Sequence, residues 1–161
     1  MTAPVIDLVA ELELLVDALN QASVPYALCG GLALAIHGHP RATKDIDLLV
    51  PAEAVENALG AAARAGFTLR AGPIPLGVKT PTPQTLFRAT KVSDGSHVTT
   101  DVLEVSASYG PAWALREVID WRGRRLSLLS RSGLIAMKRL SSRTKDQSDV
   151  VTLEQREDEE A

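Results

Sequence analysis

The stretch "DIDLLV" at residues 45–50 constrains the fold most, because it places two carboxylates on alternate positions of an apolar run. On a strand, Asp45 and Asp47 would point to the same face, roughly 7 Å apart along the chain. Two acids on one face repel each other, and burying them is costly unless a positive charge lies between them. The sequence therefore predicts a strand with one face turned towards a cation.

A hard divalent cation suits two converging oxygen ligands of this kind. Mg²⁺ above all fits, since it keeps several waters and shares the phosphates of a substrate. An Asp-x-Asp at a solvated strand edge, or an N-cap before a turn, is the alternative interpretation of the motif taken alone.

A glycine pair precedes this strand. Gly30 and Gly31 follow the apolar "YALC" and precede the helix-forming "LALAI", which predicts a strand-to-helix turn with backbone N–H groups free for a ligand. Glycine would let a phosphate approach the backbone closely. The connection to the Asp-x-Asp strand carries Arg41, Thr43 and Lys44. We interpret the segment as a phosphate cradle beside a metal site, with the Thr43 hydroxyl donating either to phosphate or to a neighbouring strand residue.

Periodicity along the rest of the chain predicts a mixed arrangement of helices and strands. Helical patterns cover residues 5–21, 52–66, 110–119, 131–143 and 145–155. The runs "TLFRATKV" and "HVTTDVLEV" flank "SDGS", which predicts an antiparallel hairpin, and a second hairpin is predicted around Gly123. The proline-rich segment 70–84 is interpreted as a loop. We expect an α+β (mixed α/β) fold with a small, partly antiparallel sheet flanked by helices.

The length of 161 residues suits one domain. We expect that domain over residues 1–153, divided into an N-terminal helix at 5–21, a catalytic core at 25–106 and a C-terminal helical part at 108–153. Residues 154–161 form an acidic tail, which we expect to be disordered. Without those eight residues the chain has 16 basic and 15 acidic side chains, so its body offers little general attraction for nucleic acid.

Cysteine content and hydropathy indicate the compartment. The single cysteine, Cys29, excludes an internal disulfide and favours a reducing environment. Neither a signal-peptide pattern nor an apolar run long enough to span a membrane is present. We therefore expect a cytoplasmic location and no membrane partner.

The segment "CGGLALAIHGHPRATKDIDLLV" resembles the opening signature of the nucleotidyltransferase superfamily with the polymerase-β-type fold. Its insert, H-G-x-x-R-x-T-x-D-I-D, is similar to the compact bacterial branch that includes the abortive-infection type IV toxin nucleotidyltransferases. The C-terminal "LIAMKRLSSRTKDQSDVVTL" resembles the helix of that branch, in which a lysine is followed by basic residues and Asp-x-x-Asp. Together the matches reach from residue 26 to residue 153.

This resemblance implies transfer of a nucleoside monophosphate from an NTP to an acceptor, with pyrophosphate leaving. It also implies a third carboxylate on a later strand, for which we select Asp101, with Glu104 as the alternative; because the two are three residues apart, only one of them faces the site. Asp45, Asp47 and Asp101 would hold Mg²⁺, or Mn²⁺ in its place, and form the catalytic set.

The same resemblance assigns the nucleotide-binding residues. The backbone of Gly30 and Gly31 would hold the triphosphate, while Arg41 and Lys138 would offset its charge, with Thr43 as a hydroxyl donor. We expect the preferred base to be set by a pocket built from residues 70–95.

The acceptor is left open between RNA, protein and a small molecule, and the resemblance suggests a toxin of a toxin–antitoxin pair. Since the chain is short, a protein partner or a second copy of the chain would complete the acceptor site. The alternative is a catalytically inactive nucleotide-binding module or a subunit of a larger assembly.

Overall fold

The structure is a computed structural model that describes residues 7–40, 42–140 and 153–154. Its helices are α1 (Leu8–Gln21), α2 (Gly30–Ile36), α3 (Val55–Arg64), α4 (Gly110–Ala114) and α5 (Arg131–Lys138). Its strands are β1 (Ala27–Cys29), β2 (Asp45–Val50), β3 (Leu69–Leu76), β4 (Gln84–Ser93), β5 (Ser96–Glu104), β6 (Arg116–Trp121) and β7 (Arg124–Leu129).

The strands form one seven-stranded sheet in the order β3-β4-β5-β2-β1-β7-β6. Strand β2 pairs in parallel with β5, and β1 pairs in parallel with β7, while the remaining neighbours are antiparallel. The expected mixed sheet with flanking helices is therefore confirmed. The Asp-x-Asp strand lies near the centre of the sheet, where both of its edges are paired.

Helices cover the sheet with their apolar stripes. In α1, Leu12, Leu15 and Leu19 are fully or almost fully buried, and the Asp7 carboxylate caps the helix by accepting a 3.1 Å hydrogen bond from the backbone N–H of Ala10. Helix α1 contacts α3 and β7, and α2 contacts β1, β2 and α5. Among the described residues, no helix is both long enough and apolar enough to cross a membrane.

Two predicted segments differ from the structure. The segment 70–84 is not a loop throughout, because its first half belongs to β3, an edge strand that pairs with β4 across a register shift between Ala71 and Ile74. An edge strand has one unpaired side, so it tolerates Pro73 and Pro75 where a central strand would not. The helix predicted over 110–119 is confined to the short α4, and β6 follows it.

The other predicted elements are close to those observed. The helix at 52–66 opens with a 3-10 turn at Ala52–Ala54 before α3, and Gly66, with a φ of +103°, follows its end. Both predicted hairpins are present as β4–β5 and β6–β7. Residues 5 and 6 of the predicted N-terminal helix, residues 141–143 of the helix predicted at 131–143, nearly all of the helix predicted at 145–155 and nearly all of the predicted acidic tail lie outside the described residues.

Candidate active site

The sheet brings two of the predicted acids together. Asp47 on β2 is the parallel register partner of Asp101 on β5, and Cys29 at the end of β1 is the antiparallel partner of Asp47. Glu104 lies three residues beyond Asp101 and pairs with Val50, so strand alternation turns it to the opposite face. Of the two candidates for the third acid, Asp101 is the one beside Asp47.

Asp47 lies against the glycine that opens α2. Gly30 has a φ of +69°, a left-handed conformation that glycine adopts without steric cost. A Cβ atom at Gly30 would overlap the Oδ2 atom of Asp47 and come within 2.9 Å of its Cγ. Only glycine at this position lets the carboxylate lie next to the backbone at the start of α2.

The second glycine has a different neighbour. A Cβ atom at Gly31 would come within 2.9 Å of both Cβ and Oγ1 of Thr43. The Thr43 hydroxyl donates a 3.3 Å hydrogen bond to the backbone carbonyl of Asp45. This bond is made to a strand neighbour, and Gly31 leaves room for the segment that leads into β2.

Asp47 and Asp101 line a cleft of about 640 Å³. A volume of this size is typical of a site for a small-molecule ligand. Its walls come from β1, α2 and β2 on one side, from β3, β4 and the turn between them on another, and from β5 and α5. The lining residues are Cys29, Gly30, Asp47, Leu76, Gly77, Thr80, Thr82, Gln84, Leu86, Arg88, Asp101, Leu103, Tyr109, Leu134, Met137, Lys138 and Leu140.

The remaining predicted residues are distributed unevenly around the cleft. Lys138, at the last turn of α5, lines it, as Gly30 does. Asp45 opens β2 on the same face as Asp47 but is exposed and lies outside the cleft lining, as do Gly31 and Thr43. Arg41 lies outside the described residues, so the structure gives no placement for it.

Arg88 is a site residue that the sequence analysis missed. It is the cross-strand partner of Asp101, and its guanidinium donates from Nε to Asp101 Oδ1 at 2.8 Å and from Nη2 to Oδ2 at 3.3 Å. The side chain of Asp101 is 12% exposed and that of Arg88 is 45% exposed. A cation of the protein's own thus neutralises the third acid.

The electrostatics show that these groups share one environment. The hydrogen bond to Asp101 raises the pKa of Arg88 above its ordinary value, and the charges of Asp101, Asp45 and Asp47 act in the same direction. Burial raises the pKa of the Cys29 thiol well above its ordinary value; nearby Asp47 adds to the shift, and Lys138 opposes it.

Two carboxylates on neighbouring strands fit a hard divalent cation in donor type, since Mg²⁺ is commonly bound by one or two carboxylates together with phosphate oxygens. Within residues 7–40, 42–140 and 153–154, however, no three Asp, Glu, His or Cys side chains are grouped so that they could hold a metal ion. Asp45 is exposed outside the cleft, and Asp101 is paired with Arg88. The cleft therefore offers the carboxylates of Asp47 and Asp101, and a bound cation would take its remaining ligands from water and phosphate.

The glycine-opened helix, the paired acids on central strands and the mixed sheet agree with the nucleotidyltransferase signature that the sequence resembles. The family model for the nucleotidyl transferase AbiEii toxin of type IV toxin–antitoxin systems matches residues 13–138. The chain belongs to this family and is a transferase enzyme. No curated protein matches it in sequence.

Solved structures support the fold. The chain is similar to TM1012 of Thermotoga maritima, a predicted nucleotidyltransferase, at 15% identity and a TM-score of 0.56, over 95% of this chain and 94% of that one. It is also similar to the lincosamide antibiotic adenylyltransferase LnuA in its lincomycin-bound form (13% identity, TM-score 0.56, 90% and 95% of the two chains). A third similar structure is ANT(2")-Ia in complex with adenylyl-2"-tobramycin (14% identity, TM-score 0.61, 92% and 87%).

Proposed function

We propose that the protein transfers a nucleoside monophosphate from an NTP to an acceptor, and that the cleft at Asp47 and Asp101 is where it does so. The observation that carries the proposal is the parallel register that sets these two carboxylates side by side at one wall of a ligand-sized cleft. Nucleotidyl transfer requires positioning and charge neutralisation more than covalent catalysis, and both can be supplied from such a wall.

On the nucleotide side, the backbone at Gly30 and Gly31 is proposed to hold the triphosphate. Gly30 lines the cleft directly beside Asp47, which supports its part in this role. Lys138 lines the same cleft from α5 and would offset phosphate charge through its ammonium group. Arg41 and Thr43 are proposed as further phosphate contacts from the connection to β2.

Asp47 and Asp101, which line the cleft, are proposed to hold a divalent cation, Mg²⁺ or Mn²⁺, together with phosphate oxygens, and Asp45 is proposed as a further ligand from outside the cleft. Asp47 and Asp101 are adjacent in the structure, and Asp45 follows the same face of β2. When bound, such a cation would neutralise triphosphate charge and favour departure of pyrophosphate.

The transfer itself is an in-line displacement. The acceptor hydroxyl oxygen attacks the α-phosphorus, the bond from this phosphorus to the oxygen of the leaving pyrophosphate breaks, and the acceptor proton passes to a carboxylate, for which Asp101 is the candidate. The products are the nucleotidylated acceptor and pyrophosphate.

The family supports a role as the toxin of a type IV pair, with an antitoxin as partner. The acceptor class is a separate question: LnuA and ANT(2")-Ia are described with small antibiotics, whereas an RNA or protein acceptor would be a macromolecule. We propose that the acceptor, whichever its class, meets the α-phosphate beside Asp101, and that residues 70–95, several of which line the cleft, contribute to base choice.

The test is incubation with each of the four α-labelled NTPs, Mg²⁺ or Mn²⁺, and a cell extract separated into RNA, protein and small-molecule fractions. We expect label in one fraction and release of pyrophosphate, both dependent on the cation. Asp47→Asn should reduce the incorporated label at least about a hundredfold while circular dichroism shows the fold retained.

Asp120→Asn is the matched control, because Asp120 is an exposed acid on the edge strand β6 and away from the cleft. It should keep the wild-type rate. Saturable NTP binding without transfer to any fraction would instead support the catalytically inactive binding module, and equal rates for Asp47→Asn and Asp120→Asn would reject this cleft as the active site.

A further inference from the structure

We propose that Arg88 is an internal counter-ion of the acid site, which competes with the divalent cation for Asp101 and passes to the triphosphate when a nucleotide binds. The proposal rests on the function proposed above for the identity of the nucleotide and the cation. The observation behind it is the ion pair that Arg88 and Asp101 form inside the cleft.

The pair is built into the sheet. Arg88 and Asp101 are directly opposite each other on β4 and β5, and both oxygens of the carboxylate accept hydrogen bonds from the guanidinium. Asp101 is held deep in the wall, while nearly half of the Arg88 side chain is exposed towards the cleft. Of the two partners, therefore, the arginine is the one with room to move.

Loss of a proton from Arg88 cannot break this ion pair at ordinary pH. A guanidinium is charged throughout the accessible range, and the surrounding carboxylates stabilise its charged form further. Arg88 thus exchanges Asp101 most readily for another anion that offers it equal contacts. The oxygens of a phosphate group accept a bidentate guanidinium in the same way as a carboxylate does.

Competition for one carboxylate couples the two ligands. A cation that binds without nucleotide must take a lone pair from an Asp101 that is already hydrogen-bonded at both oxygens. A triphosphate that attracts Arg88 releases those lone pairs, so each ligand is expected to raise the affinity for the other. The arginine would thereby disfavour binding of the bare cation and favour binding of the cation together with its nucleotide.

The test compares Arg88→Gln with the wild type in two binding measurements. In the first, Mn²⁺ alone is titrated and the free ion is followed by electron paramagnetic resonance; we expect Arg88→Gln to bind it about five- to tenfold more tightly, because no ion pair has to be broken. In the second, a fluorescent NTP analogue is titrated at saturating Mg²⁺; we expect about tenfold weaker binding, because one charge-assisted phosphate contact is lost.

Arg70→Gln is the matched control. Arg70 lies on the neighbouring strand β3, pairs with Glu56 at 3.1 Å, and is outside the cleft lining. It should leave both affinities unchanged. Arg88→Lys, which keeps the charge but loses the two-pronged geometry, should be intermediate in both measurements.

Opposite changes in the two affinities are the signature that a purely structural role would not give. If Arg88→Gln, folded as judged by circular dichroism, binds Mn²⁺ no more tightly than the wild type does, the counter-ion role is wrong. A protein that shows this change but transfers no nucleotide would contradict the proposed function and leave the competition for Asp101 standing. Tighter binding of both Mn²⁺ and the NTP analogue by Arg88→Gln would contradict the proposed contact between Arg88 and the triphosphate.

Discussion

Gly30 offers the sharpest single perturbation of the site, because its substitution by alanine acts on the backbone and on Asp47 at once. The residue has a φ of +69°, so alanine would occupy a conformation that L-amino acids rarely adopt. The new methyl group would also overlap the Asp47 carboxylate and lie 3.0 Å from its Cβ. Gly30→Ala should therefore weaken the fold and displace a proposed metal ligand.

The two contributions can be sized separately. A left-handed alanine costs about 1–2 kcal/mol, and forcing an extra methyl group into an occupied space costs about 1–3 kcal/mol. The sum, about 2–5 kcal/mol, is a large part of the 5–15 kcal/mol by which domains are typically stable. If Asp47 rotates away, the steric part falls, and weaker cation binding should replace it.

The assay is urea denaturation of Gly30→Ala beside Gly95→Ala. Gly95 has a φ of +79° but nothing within 4 Å of where its Cβ would lie, so its variant measures the backbone cost alone. The same Gly30→Ala change made in an Asp47→Ala background should cost less, because the overlapping carboxylate is gone. This double-mutant cycle isolates the contact between the two residues.

Two results together would refute the reasoning. One is a free energy of unfolding for Gly30→Ala that is no lower than that of Gly95→Ala. The other is Mn²⁺ and NTP binding by Gly30→Ala at wild-type strength. In that case Asp47 would not lie against Gly30 in solution, and the described arrangement of the site would be wrong.

Two further predictions concern the stability of the fold. Lys91 donates to Glu11 Oε2 at 2.8 Å and to the Ala65 carbonyl at 3.1 Å. Lys91→Met should therefore lower the free energy of unfolding by about 1–2 kcal/mol in urea titrations. Its Mn²⁺ affinity should be unchanged, and an altered affinity would contradict this prediction. Burial raises the pKa of Cys29 well above the ordinary thiol value of 9.0. As the pH rises above 9.0, the thiol therefore ionises in the unfolded chain before it does so in the folded one, and the free energy of unfolding should fall. Cys29→Ala should show a smaller fall in its urea midpoint between pH 8 and pH 10, and an unchanged pH dependence would contradict this.

The position of Arg88 could have been predicted from the sequence. The turn in "SDGS" has positive φ at both Asp94 and Gly95, which is the geometry of the tight hairpin turn that this dipeptide favours. Such a turn fixes Ser93 opposite Ser96, and counting back along both strands puts Arg88 opposite Asp101. The predicted hairpin therefore already contained the ion pair.

The pairing of Asp47 with Asp101, unlike that of Arg88 with Asp101, could not have been predicted from a local turn. Parallel neighbours are joined by long connections, so their register is set by packing and not by a local turn. Between β2 and β5 the chain forms α3, β3 and β4, and no pattern within residues 51–95 states how far β5 slides along β2. Only the resemblance to a family suggested that Asp101 would join the first two acids.

The charges that line the cleft show which positive groups lie near the carboxylate of Asp47. Its lining holds two carboxylates, Asp47 and Asp101, and two cations, Arg88 and Lys138, so the formal charges balance without a metal. A bare cation or a bare triphosphate would meet as much repulsion as attraction from such a wall. A ligand that carries both positive and negative charge, such as a triphosphate with its divalent cation, would offer the carboxylates a cation and the basic side chains an anion at the same time. If the proposed function is right, we expect the separated but balanced charges to favour the complex over either component, with the register of β4 and β5 supplying the pair of Arg88 and Asp101.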